Sequence, residues 1–288
     1  MVDHMTPPLS TLVCFNHIET IVPITAGLSS QCYQVHADNK YFFAKQITTS
    51  SEPIVSRHAA SLQISPKVIY YDQHWLITQF IDAKNLSLYQ QTIDKKIVIA
   101  IKLMAQCHQI TVKPVALAPK SIAHALIKKM HSSNLQQTEL LHIANQLISK
   151  IAHPTNPVCC HGDLNFSNIL YSLKKEAYLV DYECACTAPA EYDLAMFIAV
   201  NNLTKDKIIT IVEHYIEYNI EHNKAHSLVD INLPLLNHYL QFCYFINGLW
   251  YMDAHNKTDL SKFARLAKQQ WQHSHLCNSN MVTYKYSP

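Results

Sequence analysis

The chain has 288 residues, and 49% apolar against 15% charged residues can fill a sizeable core, which excludes gross disorder. Lys plus Arg number 23 and Asp plus Glu 21, a formal charge of +2 with histidine neutral, so no nucleic-acid footprint is implied and a small soluble partner is expected. Only 3 residues are glycine, and neither G-x-G-x-x-G nor G-x-x-x-x-G-K-[ST] occurs, so a dinucleotide fingerprint and a Walker-type phosphate loop are absent.

The opening MVDHMTPPLS lacks the basic region and long apolar core of a signal peptide, so export is not expected. From about residue 10 to 80, short strand-like runs alternate with turn-like segments: Leu12 to Phe15, Cys32 to Val35, Tyr41 to Ala44, Lys67 to Tyr71 and Trp75 to Phe80. They predict a small antiparallel sheet. One short helix is expected between Pro53 and Leu62, because Pro suits a first helical turn and Ser65-Pro66 closes the segment.

From about residue 85 the apolar period lengthens. Ile93 to Ile110, Leu135 to Ile151, Lys205 to Tyr218, Leu235 to Tyr251 and Leu260 to Trp271 read as helices. No window holds 18 uninterrupted apolar residues, so membrane insertion is not expected. The nine cysteines are odd in number and scattered, unlike a disulfide framework, and Cys159-Cys160 and Cys184-x-Cys186 lack the spacing of structural zinc. A reducing, cytoplasmic compartment is expected, with the protein a monomer or homodimer. The fold expected is α+β, with an N-terminal lobe over 1–81 and a helical lobe over 82–288.

Between the second and third helical stretches lies CCHGDLNFSNILYSLKKEAYLVDYECACTAPAEYDLA, in which Ile169 to Tyr171 and Ala177 to Asp181 read as two strands joined by a Lys-Lys turn. Asp163, Asn168 and Asp181 are oxygen donors of the kind Mg²⁺ accepts beside waters and substrate phosphates. In the sharpest reading Asn168 and Asp181 hold magnesium, while Asp163 orients an acceptor hydroxyl and receives its proton. Each residue taken alone is better explained as a turn residue. The ordered set carries the weight: H-G-D, an Asn five residues after the Asp, a strand-turn-strand and a second Asp.

These motifs resemble the protein-kinase-like small-molecule phosphotransferases, which include aminoglycoside phosphotransferases, choline and ethanolamine kinases and thiamine kinases. The family's H-x-D-x-x-x-x-N appears as HGDLNFSN, its second metal motif as LVDYECA, and its [FY]-D-[LI]-A helix start as YDLA. The resemblance implies a two-lobe protein-kinase-like fold, with a small antiparallel-sheet lobe and a larger, mainly helical one, and ATP and Mg²⁺ as cofactors. It implies Asp163 as the catalytic residue, Asn168 and Asp181 as metal ligands, and His161 as an organiser of the loop. GLSSQCYQV looks like the nucleotide loop, with Gly27, Ser29 and Ser30. Lys45 of YFFAK looks like the phosphate-contacting lysine, and Glu52 is its candidate partner at a helix start. Gln79 and Ile81, where WLITQFIDAKNL leaves the last small-lobe strand, mark the connection whose backbone meets the adenine.

The acceptor implied is a cationic alcohol. Glu183 of the second motif falls on the acceptor side in choline kinases, Asp193 either contacts substrate or ties the catalytic segment in place, and Trp250 and Tyr251 offer aromatic faces to a quaternary ammonium. The same stripe, HYLQFCYFINGLWYM, also suits ordinary core packing. A choline- or ethanolamine-like acceptor is favoured, with thiamine or an aminoglycoside as alternatives. A nucleotide-binding protein on a kinase-like scaffold is the non-enzymatic alternative, and a metal hydrolase using His161 and Asp163 a third.

Overall fold

Period-two alternation in the first 80 residues becomes a five-stranded antiparallel sheet in the computed structural model, which describes residues 8–24, 31–130, 134–151, 156–222, 230–258 and 260–273. In chain order the elements are β1 (Ile18–Ile24), β2 (Cys32–Ala37), β3 (Lys40–Gln46), α1 (Glu52–Ser61), β4 (Val68–Tyr71), β5 (Trp75–Gln79), β6 (Lys84–Asn85) and α2 (Ile93–Cys107). There follow α3 (Pro119–Lys129), α4 (Asn134–Ile148), β7 (Val158–Cys160), β8 (Ile169–Tyr171), β9 (Ala177–Leu179), β10 (Cys186–Ala188), α5 (Ala190–Val200), α6 (Lys207–His222), α7 (Leu233–Thr258) and α8 (Ser261–His273). Packing divides the chain into two compact units, Met1–Val115 with Asn165–Cys186, and Ala116–Leu164 with Thr187–Pro288. This division differs from a cut at 81/82, because α2 and the β8–β9 hairpin belong with the sheet.

In the first unit the strand order is β1-β2-β3-β5-β4. Asp38 and Asn39 turn β2 into β3 with positive φ at both positions, as a tight hairpin requires, and the Asp38 carboxylate accepts the N–H groups of Asn16 and His17, each at 3.0 Å. Val35 lies opposite Phe42 and Ala44 opposite Ile77, so one face of the sheet is apolar. That face is closed by Leu9 and Leu12. The strand expected at Leu12 to Phe15 is therefore not formed: these residues follow a short 3-10 turn, and Leu12 plugs the core instead of joining the sheet. β1 was not anticipated because it contains Pro23, which an edge strand tolerates but a central one does not.

The β8–β9 hairpin turns at Lys174-Lys175, where Lys175 has φ of 64°, and β6 flanks β8. The hairpin is tied to the segment after α1. Leu179 N–H donates to Ile64 O at 2.6 Å, and the Ser65 hydroxyl bonds Leu179 O at 2.7 Å and the Tyr182 hydroxyl at 2.6 Å.

In the second unit α5 packs on α7, and α7 on α8. Residues Glu191 to Ala199 of α5 are all buried, so this helix has no polar face and no periodic signal of its own. Gly248 lets the Trp271 indole lie against α7, and Trp271 Nε1 donates to Phe245 O at 3.3 Å. No described helix is long and apolar enough to cross a membrane.

Candidate active site

Lys45 sits on β3 opposite Cys32 and Leu76, on the face turned away from the Leu9–Leu12 plug. Only 5% of it is exposed. Its Nζ donates to Glu52 Oε1 at 2.7 Å, to Glu183 Oε2 at 3.2 Å and to Asp181 Oδ1. Glu52 is the first residue of α1, ahead of Pro53, and is 1% exposed. Asp181 follows β9 in the left-handed region, with φ of 72° and ψ of 64°, and opens the 3-10 turn Tyr182–Cys184. That turn lets Asp181 and Glu183 both reach Lys45 while the buried Tyr182 between them bonds Ser65.

Asn168 is delivered to the same hairpin end. Its carbonyl accepts the Val180 N–H at 3.0 Å, which sets it across from the residue preceding Asp181. The Asn165 side chain fixes the turn by accepting the N–H groups of Ser167 and Asn168, at 2.8 and 3.2 Å.

Electrostatics follow from one ammonium among three carboxylates. Burial disfavours the charged Lys45, but Asp181 and Glu52 together outweigh it and hold the pKa above the usual lysine value. Burial pushes the Glu52 carboxyl up to about 7 against the pull of Lys45. Its Oε2 is buried without a hydrogen-bond partner among the described residues. Burial likewise raises the Cys32 thiol to about 11, so this neighbour of Lys45 is an inert thiol rather than a nucleophile.

In the second unit, His161, Gly162 and Asp163 follow β7 directly. Asp193, in the first turn of α5, is 0% exposed, and its two oxygens accept the N–H groups of His161 and Gly162, both at 2.9 Å. Gly162 adopts φ of 78°, a conformation that favours glycine. The buried His161 accepts the Asp163 N–H at Nδ1, at 3.3 Å, which leaves its ring proton on Nε2. Asp163 itself is half-buried.

The aromatic stripe of α7 divides in two. Phe242, Tyr244 and Phe245 are buried core. Trp250 is 44% exposed and meets Tyr251 edge-on at 5.3 Å, while Tyr251 stacks on Phe263 of α8 at 6.4 Å. Burial, and after it the negative charge of Asp163, raises the Tyr251 phenol, so the tyrosine lies within the field of the loop carboxylate.

Asp193 is fully buried and both of its oxygens accept backbone N–H groups of the loop, as the loop-tying role requires. Gln79 lies opposite Phe42, so its side chain is on the face away from Lys45, beside a cavity of about 430 Å³ also lined by Phe42, Ile69 and Lys67. Its N–H is donated to Lys67 O at 2.9 Å. Ile81 is half-buried. Gly27, Ser29 and Ser30 lie outside the described residues. Sequence reading passed over Ser65 and Tyr182, whose bond anchors the Asp181 turn; the Tyr between the two acids of LVDYECA was the available signal.

Backbone pairing brings Asn168 and Asp181 to one hairpin end, and a carboxamide and a carboxylate are hard oxygen donors of the kind suited to magnesium. No curated protein matches this sequence. Solved structures alike in fold include the choline kinase LicA from Streptococcus pneumoniae, 16% identical over 91% of this chain and 93% of that one, with a TM-score of 0.66. A choline/ethanolamine kinase family protein from Mesorhizobium loti is 15% identical over 91% and 90%, with a TM-score of 0.67. An AMP-bound spectinomycin phosphotransferase is 18% identical over 88% and 93%, with a TM-score of 0.59. The fold is thus kinase-like, α+β with its antiparallel sheet toward the N-terminus and helices toward the C-terminus. A sequence model of the phosphotransferase enzyme family matches residues 20–226, from the small sheet through both motifs, and on that match the chain belongs to the phosphotransferase enzyme family and is a small-molecule kinase.

Proposed function

We propose that this phosphotransferase moves the γ-phosphoryl group of ATP, with Mg²⁺, onto the hydroxyl of a small cationic alcohol, a choline- or ethanolamine-like acceptor being favoured. The observation that carries the reading is the buried cluster in which Lys45 bonds Glu52 and, 136 residues further along the chain, Asp181. A strand lysine held between a helix glutamate and a motif aspartate is poised to meet phosphate charge. A second LicA structure, in complex with AMP, and a spectinomycin phosphotransferase structure in complex with ADP and spectinomycin support a nucleotide as donor.

In this reading Asn168 and Asp181 hold the metal, which when bound neutralises charge on the donor phosphates. Lys45 contacts the α- and β-phosphates, and Glu52 keeps it in place. Gly27, Ser29 and Ser30 cover the phosphates, and the backbone from Gln79 to Ile81 meets the base. Asp163 aligns the acceptor hydroxyl and takes its proton at a carboxylate oxygen. His161 and Asp193 position that loop through its backbone. Glu183, Trp250 and Tyr251 receive the acceptor's cationic end, supported by the partly exposed Trp250 and by Tyr251 in the field of Asp163. The described cysteines form no disulfide with one another, which supports a cytoplasmic setting.

The test is an ADP-release screen of the purified chain with ATP or GTP and choline, ethanolamine, thiamine or an aminoglycoside, beside an acceptor-free control. ADP formation that depends on choline or ethanolamine is expected, and Asp163→Asn should lower it roughly 10²- to 10⁴-fold while nucleotide binding persists. Turnover confined to thiamine or an aminoglycoside would move the acceptor to those branches. ADP release indifferent to any acceptor, or an Asp163→Asn variant as active as the parent, would overturn the reading.

A further inference from the structure

Three carboxylates share one ammonium in the first unit. Lys45 Nζ donates to Glu52 Oε1 at 2.7 Å, to Glu183 Oε2 at 3.2 Å and to Asp181 Oδ1. An ammonium has three protons to give, and these acceptors use all of them. One oxygen of Asp181, the residue assigned above to the metal, is therefore already held by a cation of the chain itself. A divalent ion approaching that oxygen meets a positive charge at hydrogen-bonding distance.

We propose that Lys45 is the resident counter-ion of this cluster and competes with the divalent cation for Asp181, so that metal enters as Lys45 withdraws toward Glu52. The proposal rests on the reading of Asp181 as a metal ligand. Glu52 is suited to both states. It holds Lys45 through Oε1, while its Oε2 is buried with no hydrogen-bond partner among the described residues, so an ammonium leaving Asp181 finds a second acceptor on a carboxylate it already touches. Donor phosphates are the other acceptor open to the lysine. A ligand that draws Lys45 off Asp181 then strengthens metal binding, and by reciprocity the metal strengthens binding of that ligand. Lys45 thereby sets the order of loading as well as meeting phosphate.

The test uses Mn²⁺ alone, with no nucleotide, titrated into the full chain and followed by loss of the free-ion spin-resonance signal. Lys45→Met is expected to bind Mn²⁺ roughly tenfold or more tightly than the parent, a like charge beside the ligand oxygen having been removed. Lys67→Met, a charge loss elsewhere in the same unit, should match the parent. Equal or weaker binding by Lys45→Met overturns the proposal. Should that variant fail to fold, the parent decides by ¹⁵N-lysine side-chain resonances. The Lys45 Nζ signal should move as Mg²⁺ binds, and a signal that stays fixed while the ion binds overturns the proposal. If neither parent nor variant binds a divalent ion, the metal reading falls with it, whereas equal binding by both removes only the role given to the lysine.

Discussion

Burial sets the chemistry of Glu52. Its carboxyl, pushed from 4.5 up to about 7, binds a proton more tightly in the folded chain than in the unfolded one. The resulting contribution to stability is fully present below pH 4.5 and is lost as pH rises through about 7. A shift of this size is worth on the order of 3 kcal/mol. Glu52→Gln, neutral at every pH, should therefore flatten the fall in stability between pH 5 and pH 8, read as urea unfolding free energies of parent and variant. An unchanged difference between the two pH values would show that Glu52 ionises freely in the folded chain. The sequence made this residue visible only as the acid nearest Lys45, at a helix start. Asp163, Asn168 and Asp181 were plainer, because their motif keeps fixed spacing whatever surrounds it. The Ser65–Tyr182 bond is not legible, since it joins positions 117 residues apart and only Tyr182, inside LVDYECA, stands in a motif.

Among the elements, the α7–α8 pair depends on one missing methyl. A Cβ built on Gly248 would stand 2.1 Å from Trp271 Nε1 and 2.5 Å from Trp271 Cδ1, and that indole is buried and bonded to the α7 backbone. Alanine favours a helix over glycine by about 1 kcal/mol, but overpacking a filled interface costs about 1–3 kcal/mol. Gly248→Ala is expected to be net destabilising, lowering the thermal midpoint by several degrees. Pairing it with Trp271→Leu should recover part of the loss, because the two positions share one contact. A single variant more stable than the parent would mean that Trp271 moves aside without cost. The sequence marked Gly248 only within the I-N-G-L-W stretch; its reason lies 23 residues away, on a neighbouring helix. The same limit explains α5, buried on every side and so without a period, and β1, masked by its proline.

At the scale of the chain, the first unit is discontinuous: residues up to Val115 are completed by Asn165–Cys186. The returning segment supplies Asp181 and Glu183 to Lys45, caps the Ile64 carbonyl through the Leu179 N–H, and gives the buried Ser65 hydroxyl both of its bonds. The change from strand to helix period between about residues 80 and 85 reads the small sheet as a separable lobe ending near residue 81. Hydrogen bonding reads otherwise, since buried polar groups left unpaired are costly. A fragment of residues 1–115 would leave Ser65 without these partners and the Lys45–Glu52 pair without two of its carboxylates. It should show no cooperative thermal transition by circular dichroism and poor dispersion in its amide NMR spectrum. The same fragment joined through a flexible linker to residues 165–186 should regain a cooperative transition, because the tie is made by hydrogen bonds within the unit. Cooperative unfolding of the 1–115 fragment on its own would show that the sheet is self-sufficient and that the hairpin only adds chemistry to it.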